Sequence, residues 1–190
     1  DAVDLGHAAM KGIPVTNTPD VLNDDVADLA IGLLIAAARR IPQGDRFVRE
    51  GGWLEGNYPL QTTVTGKKVG IVGMGRIGRE IAARAAALKT QIAYHTRTKR
   101  DDAAWPHFAD LVALADWADV LIVIVPGGAA TRHLIDAKVI AALGPKGILV
   151  NVARGSVVDE AALVAALSSG ALGAAALDVF ADEPRVPDAL

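Results

Sequence analysis

Apolar residues in this chain gather in short unbroken blocks rather than alternating with polar ones. Val120-Leu-Ile-Val-Ile-Val125 is the clearest, and related blocks recur at 68–72, 91–96, 147–152 and 174–179. A strand apolar on both faces is covered on both faces, the condition of a parallel sheet between helical layers. Helical character fills the intervals at 76–88, 110–115, 137–143 and 159–168. The alternation predicts a doubly wound parallel α/β domain. Upstream, Asn23 or Asp24 can cap a helix running to about Arg40, with aspartates in its first turn and arginines at its end. The segment 12–17 reads as short and extended, and Thr18-Pro19 closes it. Residues 41–65, with Gly51-Gly52, Trp53 and Pro59, are expected to be irregular. No repeat or low-complexity stretch is visible.

The first block runs into Gly73, Met74, Gly75, Arg76, Ile77 and Gly78, a G-x-G-x-x-G turn between predicted strand and predicted helix. In that setting each glycine has a separate duty. Gly73 allows the tight turn, Gly75 lets a pyrophosphate approach the backbone, and Gly78 lets helix and strand pack closely. The first amides of the helix then face the anion, and the helix dipole favours its charge. The combination marks a dinucleotide-binding domain of the Rossmann type, which a bare G-x-G-x-x-G would not.

Composition changes this picture little. The 190 residues are 52% hydrophobic, enough for a buried core, and the formal charge of −3 gives no reason to expect a nucleic-acid surface. With no cysteine there is neither a disulfide nor a metal–thiolate site, which fits a reducing, cytoplasmic setting. The longest strongly apolar stretch, residues 29–38, is short of the roughly 18 residues that span a bilayer. The chain opens on Asp1 without a strand of its own, and is expected to be a fragment of a longer protein.

The identity of the nucleotide turns on the end of the second strand. An NAD site places a carboxylate there to hold the ribose 2′-hydroxyl. Eighteen residues beyond Gly78 stands Thr96, in Tyr94-His-Thr-Arg-Thr-Lys-Arg100, with three cations following. Arg97 can fork onto a 2′-phosphate with the hydroxyls of Thr96 and Thr98 beside it. NADP(H) is therefore expected over NAD(H). The competing reading is a solvated basic loop, and His95 within it is read as incidental to chemistry.

Arg154 follows another apolar block in Asn151-Val-Ala-Arg-Gly155, at the carboxyl edge where such sheets bind ligands. A guanidinium there can pair with a carboxylate and polarise a neighbouring carbonyl. Alone, an arginine after a strand is more often a surface ion pair. Glu183 before Pro184, and Asp178 at a strand end, are equally unremarkable in isolation.

Taken together these segments resemble the D-isomer-specific 2-hydroxyacid dehydrogenases, with the glyoxylate/hydroxypyruvate reductases nearest in flavour and phosphoglycerate dehydrogenase as a relative. The resemblance rests on Gly12-Ile-Pro-Val-Thr-Asn-Thr-Pro-Asp20, Asp25-Val-Ala-Asp-Leu-Ala30, the glycine turn, Val125-Pro126, Thr131-Arg-His-Leu134, Asn151-Val-Ala-Arg-Gly155 and Leu177-Asp-Val-Phe180 with Glu183-Pro184. It implies hydride transfer between nicotinamide C4 and C2 of a small 2-oxo acid. Arg154 binds and polarises that substrate, and Glu183 pairs with a histidine acting as general acid or base. By the same resemblance Val125, Pro126, Thr131, Val152, Ala153, Arg154 and Asp178 join the glycine turn and Thr96–Thr98 around the cofactor. A Tyr-His-Asn/Thr-Arg strand end goes with NADPH.

The resemblance also carries a departure. The histidine is expected some twenty residues or more beyond Glu183, whereas the sequence ends at Leu190, and His7, His95, His107 and His133 all precede Glu183. The chain is therefore expected to bind cofactor and to turn over slowly or not at all. Residues 1–18 are assigned to the end of a substrate domain and hinge, and 19–190 to the cofactor domain. Within the latter, about 21–60 is read as a homodimerisation segment, against the alternative that its helix is buried within one chain. The reading from a different class is a nucleotide-sensing binding protein of the co-repressor type, and an NAD-dependent dehydrogenase remains a third.

Overall fold

The structure is a computed structural model and describes residues 3–190, so the first two residues of the hinge assignment lie outside the described residues. Six parallel strands form one sheet: β1 (Lys68–Val72), β2 (Gln91–His95), β3 (His107–Phe108), β4 (Val120–Val123), β5 (Ile148–Asn151) and β6 (Ala174–Leu177). Their order is β3-β2-β1-β4-β5-β6, so the direction of winding reverses between β1 and β4. Ligands bind such sheets outside the carboxyl ends of the strands flanking that reversal.

Among the described residues seven α-helices accompany the sheet: α1 (Leu5–Met10), α2 (Asn23–Arg39), α3 (Ile41–Arg49), α4 (Arg76–Ala87), α5 (Leu111–Trp117), α6 (Ala137–Leu143) and α7 (Glu160–Ser169). One core joins Val69, Ile71, Ile92, Tyr94, Val120 and Ile122 to α2 and α4. The other joins Val72, Ala93, Leu121, Val123 and Leu149 to α5, α6 and α7. Neighbours along each strand thus enter opposite cores, as the two-residue period of a strand requires. Ile71, Ile122 and Leu149 are fully buried, and each such side chain contributes about 1.5–3 kcal/mol.

Aspartate starts four of the helices, Asp4 accepting from the His7 amide at 2.8 Å at the start of α1. Asp110 accepts hydrogen bonds from the amides of Val112 and Ala113, Asp136 from Lys138 and Val139, and Asp159 from Ala162. Each cap is worth about 1 kcal/mol. On the other side of the sheet Arg84 of α4 binds Asp24 and Asp28 of α2, at 2.5 and 2.6 Å, and Glu80 one turn earlier. These three carboxylates hold the Arg84 guanidinium above its ordinary pKa, hydrogen bonding to Asp24 contributing most.

The structure departs from the sequence reading in four places. Residues 41–49 are helical rather than irregular: Pro42 pre-sets the first turn, and Asp45 pairs with Arg49 at 2.9 Å. None of α3 is fully buried, and its nine residues, with Pro42 and Gly44 among them, are too few to show a helical period in the sequence. The start of α2 is not capped by Asn23 or Asp24, because Leu22 occupies the cap position and Asn23 instead donates to Asp20. Strand β3 and helix α1 are too short for a periodic signal. Finally, β2, β4, β5 and β6 each stop one or two residues before their apolar runs do, where the chain turns into the site.

Candidate functional site: a cleft over the strand ends

At the end of β1, Gly73 adopts φ +108, and a Cβ there would overlap the carbonyl oxygen of Ile124. A Cβ on Gly78 would overlap the carbonyl oxygen of Gly73. Both glycines are therefore demanded by the chain's own packing. Gly75 differs: it is extended, at φ −81 and ψ −160, and a Cβ on it would meet nothing within 4 Å. The open space belongs to a cavity of about 1180 Å³ lined by the whole turn Gly73 to Gly78. No side chain caps the first turn of α4, so its leading amides are available to an anion in that cavity. Met74 is only 1% exposed, its side chain lying in the core beneath the turn.

The same cavity runs past the end of β2. Thr96, Arg97 and Thr98 line it, and Thr96 Oγ1 donates to the Thr98 carbonyl at 2.7 Å, closing a tight turn. His95 lines the cavity as well, but its Nδ1 lies 2.9 Å from the Phe108 carbonyl oxygen, joining β2 to the segment beside it. The sequence reading did not include Lys99, Arg100, Asp101 or Asp102, all of which line the cavity. The Asp102 carboxylate binds Arg79 of α4 at 2.6 Å and Arg100 at 3.2 Å. Hydrogen bonds from Arg100 first, then Arg79, hold it down to about 2. It is thus ionised and matched at neutral pH. The adjacent Lys99-Arg100-Asp101-Asp102 run was a local signal for this pairing; Arg79 had none. Among the described residues Arg97 has no side-chain partner, which leaves its guanidinium available.

Beyond β4, Val125, Pro126 and Thr131 line the opposite wall. Thr131 Oγ1 donates to the Pro126 carbonyl at 2.7 Å and pins the Gly127-Gly128 bend between them. Beyond β5, Asn151 is 1% exposed and organises the next turn. Its Oδ1 accepts from the Ala153 amide at 3.1 Å and its Nδ2 donates to the Arg154 carbonyl at 3.2 Å. Arg154 itself donates to the Ala153 carbonyl at 2.6 Å.

Arg154 lines the large cavity and also a second one of about 410 Å³, which Glu183 lines too. The sequence reading paired these two residues in function, and the fold brings them to one space. Gly155 makes this fit, because any Cβ on it would overlap the Phe180 carbonyl. Glu183 Oε1 accepts from the Phe180 amide at 2.9 Å, and Glu160 Oε2 from the Ala181 amide at 3.0 Å. Among the described residues no histidine lines this second cavity. Val152 and Ala153 are buried at 5% and 2% exposure, and Asp178 is exposed with its amide bonded to the Asn151 carbonyl. None of these three lines either cavity.

Comparison with known proteins follows this geometry closely. The domain described as D-isomer specific 2-hydroxyacid dehydrogenase, NAD binding domain, matches residues 31–190. Glyoxylate/hydroxypyruvate reductase A of Arabidopsis thaliana is 52% identical over the whole chain, which covers 61% of that protein. The 2-ketogluconate reductase of Gluconobacter oxydans is 45% identical over 98% of the chain and 60% of its own length. Among solved structures, an NADPH-dependent glyoxylate/hydroxypyruvate reductase from Sinorhizobium meliloti, in complex with NADP and malonate, superposes with a TM-score of 0.95 at 53% identity. The chain is covered fully in that match and spans 60% of that reductase. In sequence, in sheet order and in the placement of its glycine turn, this chain belongs to the D-isomer specific 2-hydroxyacid dehydrogenases, through their NAD binding domain.

Proposed function

We propose that this chain is the NADP(H)-binding part of a reductase that converts a small 2-oxo acid, of the glyoxylate or hydroxypyruvate type, to its D-2-hydroxy acid. The observation that carries the reading is the continuity of the large cavity from the uncapped start of α4 to Arg97 on one side and Arg154 on the other. The donor set suits NADP. The α4 amides and the vacant side of Gly75 take the pyrophosphate, and Arg97 with the Thr96–Thr98 turn takes the 2′-phosphate. Relatives named as glyoxylate/hydroxypyruvate reductases, and the neighbour solved with NADP, support it.

When bound, the nicotinamide supplies the hydride. The chain's own part is to orient and polarise. Arg154, at the meeting of the two cavities, forks onto the carboxylate of the 2-oxo acid and draws charge toward its carbonyl oxygen. Glu183, held by the Phe180 amide, orients a histidine from outside this chain and keeps it protonated for donation to that oxygen. In this reading residues 1–18 are the hinge to the substrate domain.

The test is a fluorescence titration of the chain with NADPH and NADH. NADPH is expected to bind at least tenfold tighter, as one charge-assisted contact of about 1.5–3 kcal/mol requires. Arg97→Ser should remove most of that difference and leave NADH unchanged. Equal binding of the two nucleotides sinks the NADP assignment. Adding glyoxylate to the NADPH mixture should produce little oxidation, and a rate like that of a complete reductase would refute the dependence on an outside histidine.

We propose further that the chain assembles as a homodimer through residues 21–60. This segment exposes Leu29, Ile41, Val48, Trp53, Leu54 and Leu60, apolar side chains that a second copy would cover. Light scattering at micromolar concentration is expected to give twice 19.7 kDa. A monomer mass rejects the assembly.

A further inference from the structure

The basic loop after β2 projects from the sheet, yet one of its residues is gripped at the backbone. Tyr94 is fully buried beneath the loop. Its hydroxyl accepts a hydrogen bond from the Arg100 amide at 2.9 Å and donates one to the Arg100 carbonyl at 3.3 Å. A phenol has one proton and accepting lone pairs, so a single Tyr94 hydroxyl satisfies both polar groups of one peptide residue. The ring is fixed in turn, since it packs on His107 at 5.1 Å between centroids, and His107 Nε2 lies 3.0 Å from the Thr96 carbonyl oxygen. The two ends of the turn, Thr96 and Arg100, are therefore tied to one aromatic pair, buried Tyr94 and half-buried His107. Arg100's side chain is spent on Asp102, which Arg79 also holds. Arg97 and Lys99, lying between the tied ends, are the cations left to face the cavity.

We propose that Tyr94 is a positioning residue for recognition of the nucleotide's 2′-phosphate: its hydroxyl fixes the loop so that Arg97 and Lys99 converge on one point in the cavity. The inference rests on the NADP(H) reading above. A cation on a loose loop must be ordered when it binds, whereas one on a fixed loop is already in place, and the difference appears as affinity. Only a ligand with a phosphate at the 2′ position draws on this loop in that way. The pyrophosphate is met by the first amides of α4, whereas the Tyr94 hydroxyl is bonded to the Arg100 backbone.

The experiment is Tyr94→Phe, which keeps the ring and removes the hydroxyl. The parent and variant chains are titrated with NADPH and NADH, and with 2′,5′-ADP and 5′-AMP as isolated probes of the phosphate. Loss of two hydrogen bonds that pre-order the loop is expected to weaken NADPH and 2′,5′-ADP by about three- to tenfold. NADH and 5′-AMP should change by less than about twofold. Equal weakening of all four ligands would mean a merely structural tyrosine, and unchanged NADPH binding would mean none of this role; either overturns the proposal while the NADP(H) assignment stands. A parent chain without preference for NADPH overturns both. Should the variant fail to fold, amide hydrogen exchange on the parent chain decides. Slow exchange at Arg100 beside fast exchange at Lys99 supports the clamp, and equally fast exchange at both refutes it.

Discussion

Gly75→Ser should give a chain that melts like its parent and has lost NADPH. The backbone at Gly75 is extended, within reach of any residue, and a Cβ there touches nothing. Serine is moreover a favoured residue at a helix cap, so stability should hold within about 0.5 kcal/mol or rise. The same hydroxyl that caps α4 takes an amide from the pyrophosphate, and its Cβ stands where the phosphate oxygens approach. Losing charge-assisted bonds of about 1.5–3 kcal/mol each predicts a Kd for NADPH at least tenfold higher. Gly78→Ala is the control of opposite sign. Its Cβ is driven against the Gly73 carbonyl, so the helix must move off the strand. Overpacking of that kind costs about 3 kcal/mol, and a chain of this size loses about 2–4 °C per kcal/mol. Thermal melts and nucleotide titrations on the two variants separate the roles. Undiminished NADPH affinity in Gly75→Ser would move the pyrophosphate away from this turn.

Gly155→Ala should be nearly as damaging to stability, for a reason tied to the substrate end. Arg154 reaches the second cavity because the chain after β5 passes directly against the Phe180 carbonyl. A methyl group inserted there prises the segment 178–183 from the turn that carries Arg154. We expect a loss of about 3 kcal/mol, seen as a melting point lower by roughly 6–12 °C. The Phe180 amide, now bonded to Glu183, should exchange its hydrogen faster as that segment lifts. A variant that melts with its parent and keeps that amide protected would show that the contact between Gly155 and Phe180 yields easily.

The parts of this fold that were legible in the sequence are those where the physics is local and periodic. Five strands showed themselves as apolar blocks because burial on both faces excludes polar residues, and α4 announced itself through the glycine turn before it. The family was within reach by a different route, the resemblance carried by ordered motifs such as Asn151-Val-Ala-Arg-Gly155 and Glu183-Pro184. What stayed hidden depends on distant partners. Helix α3 has only nine residues, with Pro42 and Gly44 among them, while β3 is two residues long. At the site, nothing in the sequence singles out Asp102, and only the fold supplies Arg79, 23 residues earlier, to match it. Asn151 entered the sequence analysis only as the first residue of the motif bearing Arg154, yet it is buried and shapes that turn.

Helix α4 is held to three different neighbours along its length. Its first amides front the cavity, Arg79 reaches the loop after β2 through Asp102, and Arg84 fastens α2 through two aspartates. A rod of 12 residues, about 18 Å long, is thereby the common ruler for the nucleotide cleft and for the helix that carries exposed Leu29 on its far side. Loops at either end can be rewritten while the distance between cleft and flank stays the same. The recognition surfaces of this chain are free to diverge because their spacing is set by something none of them contains.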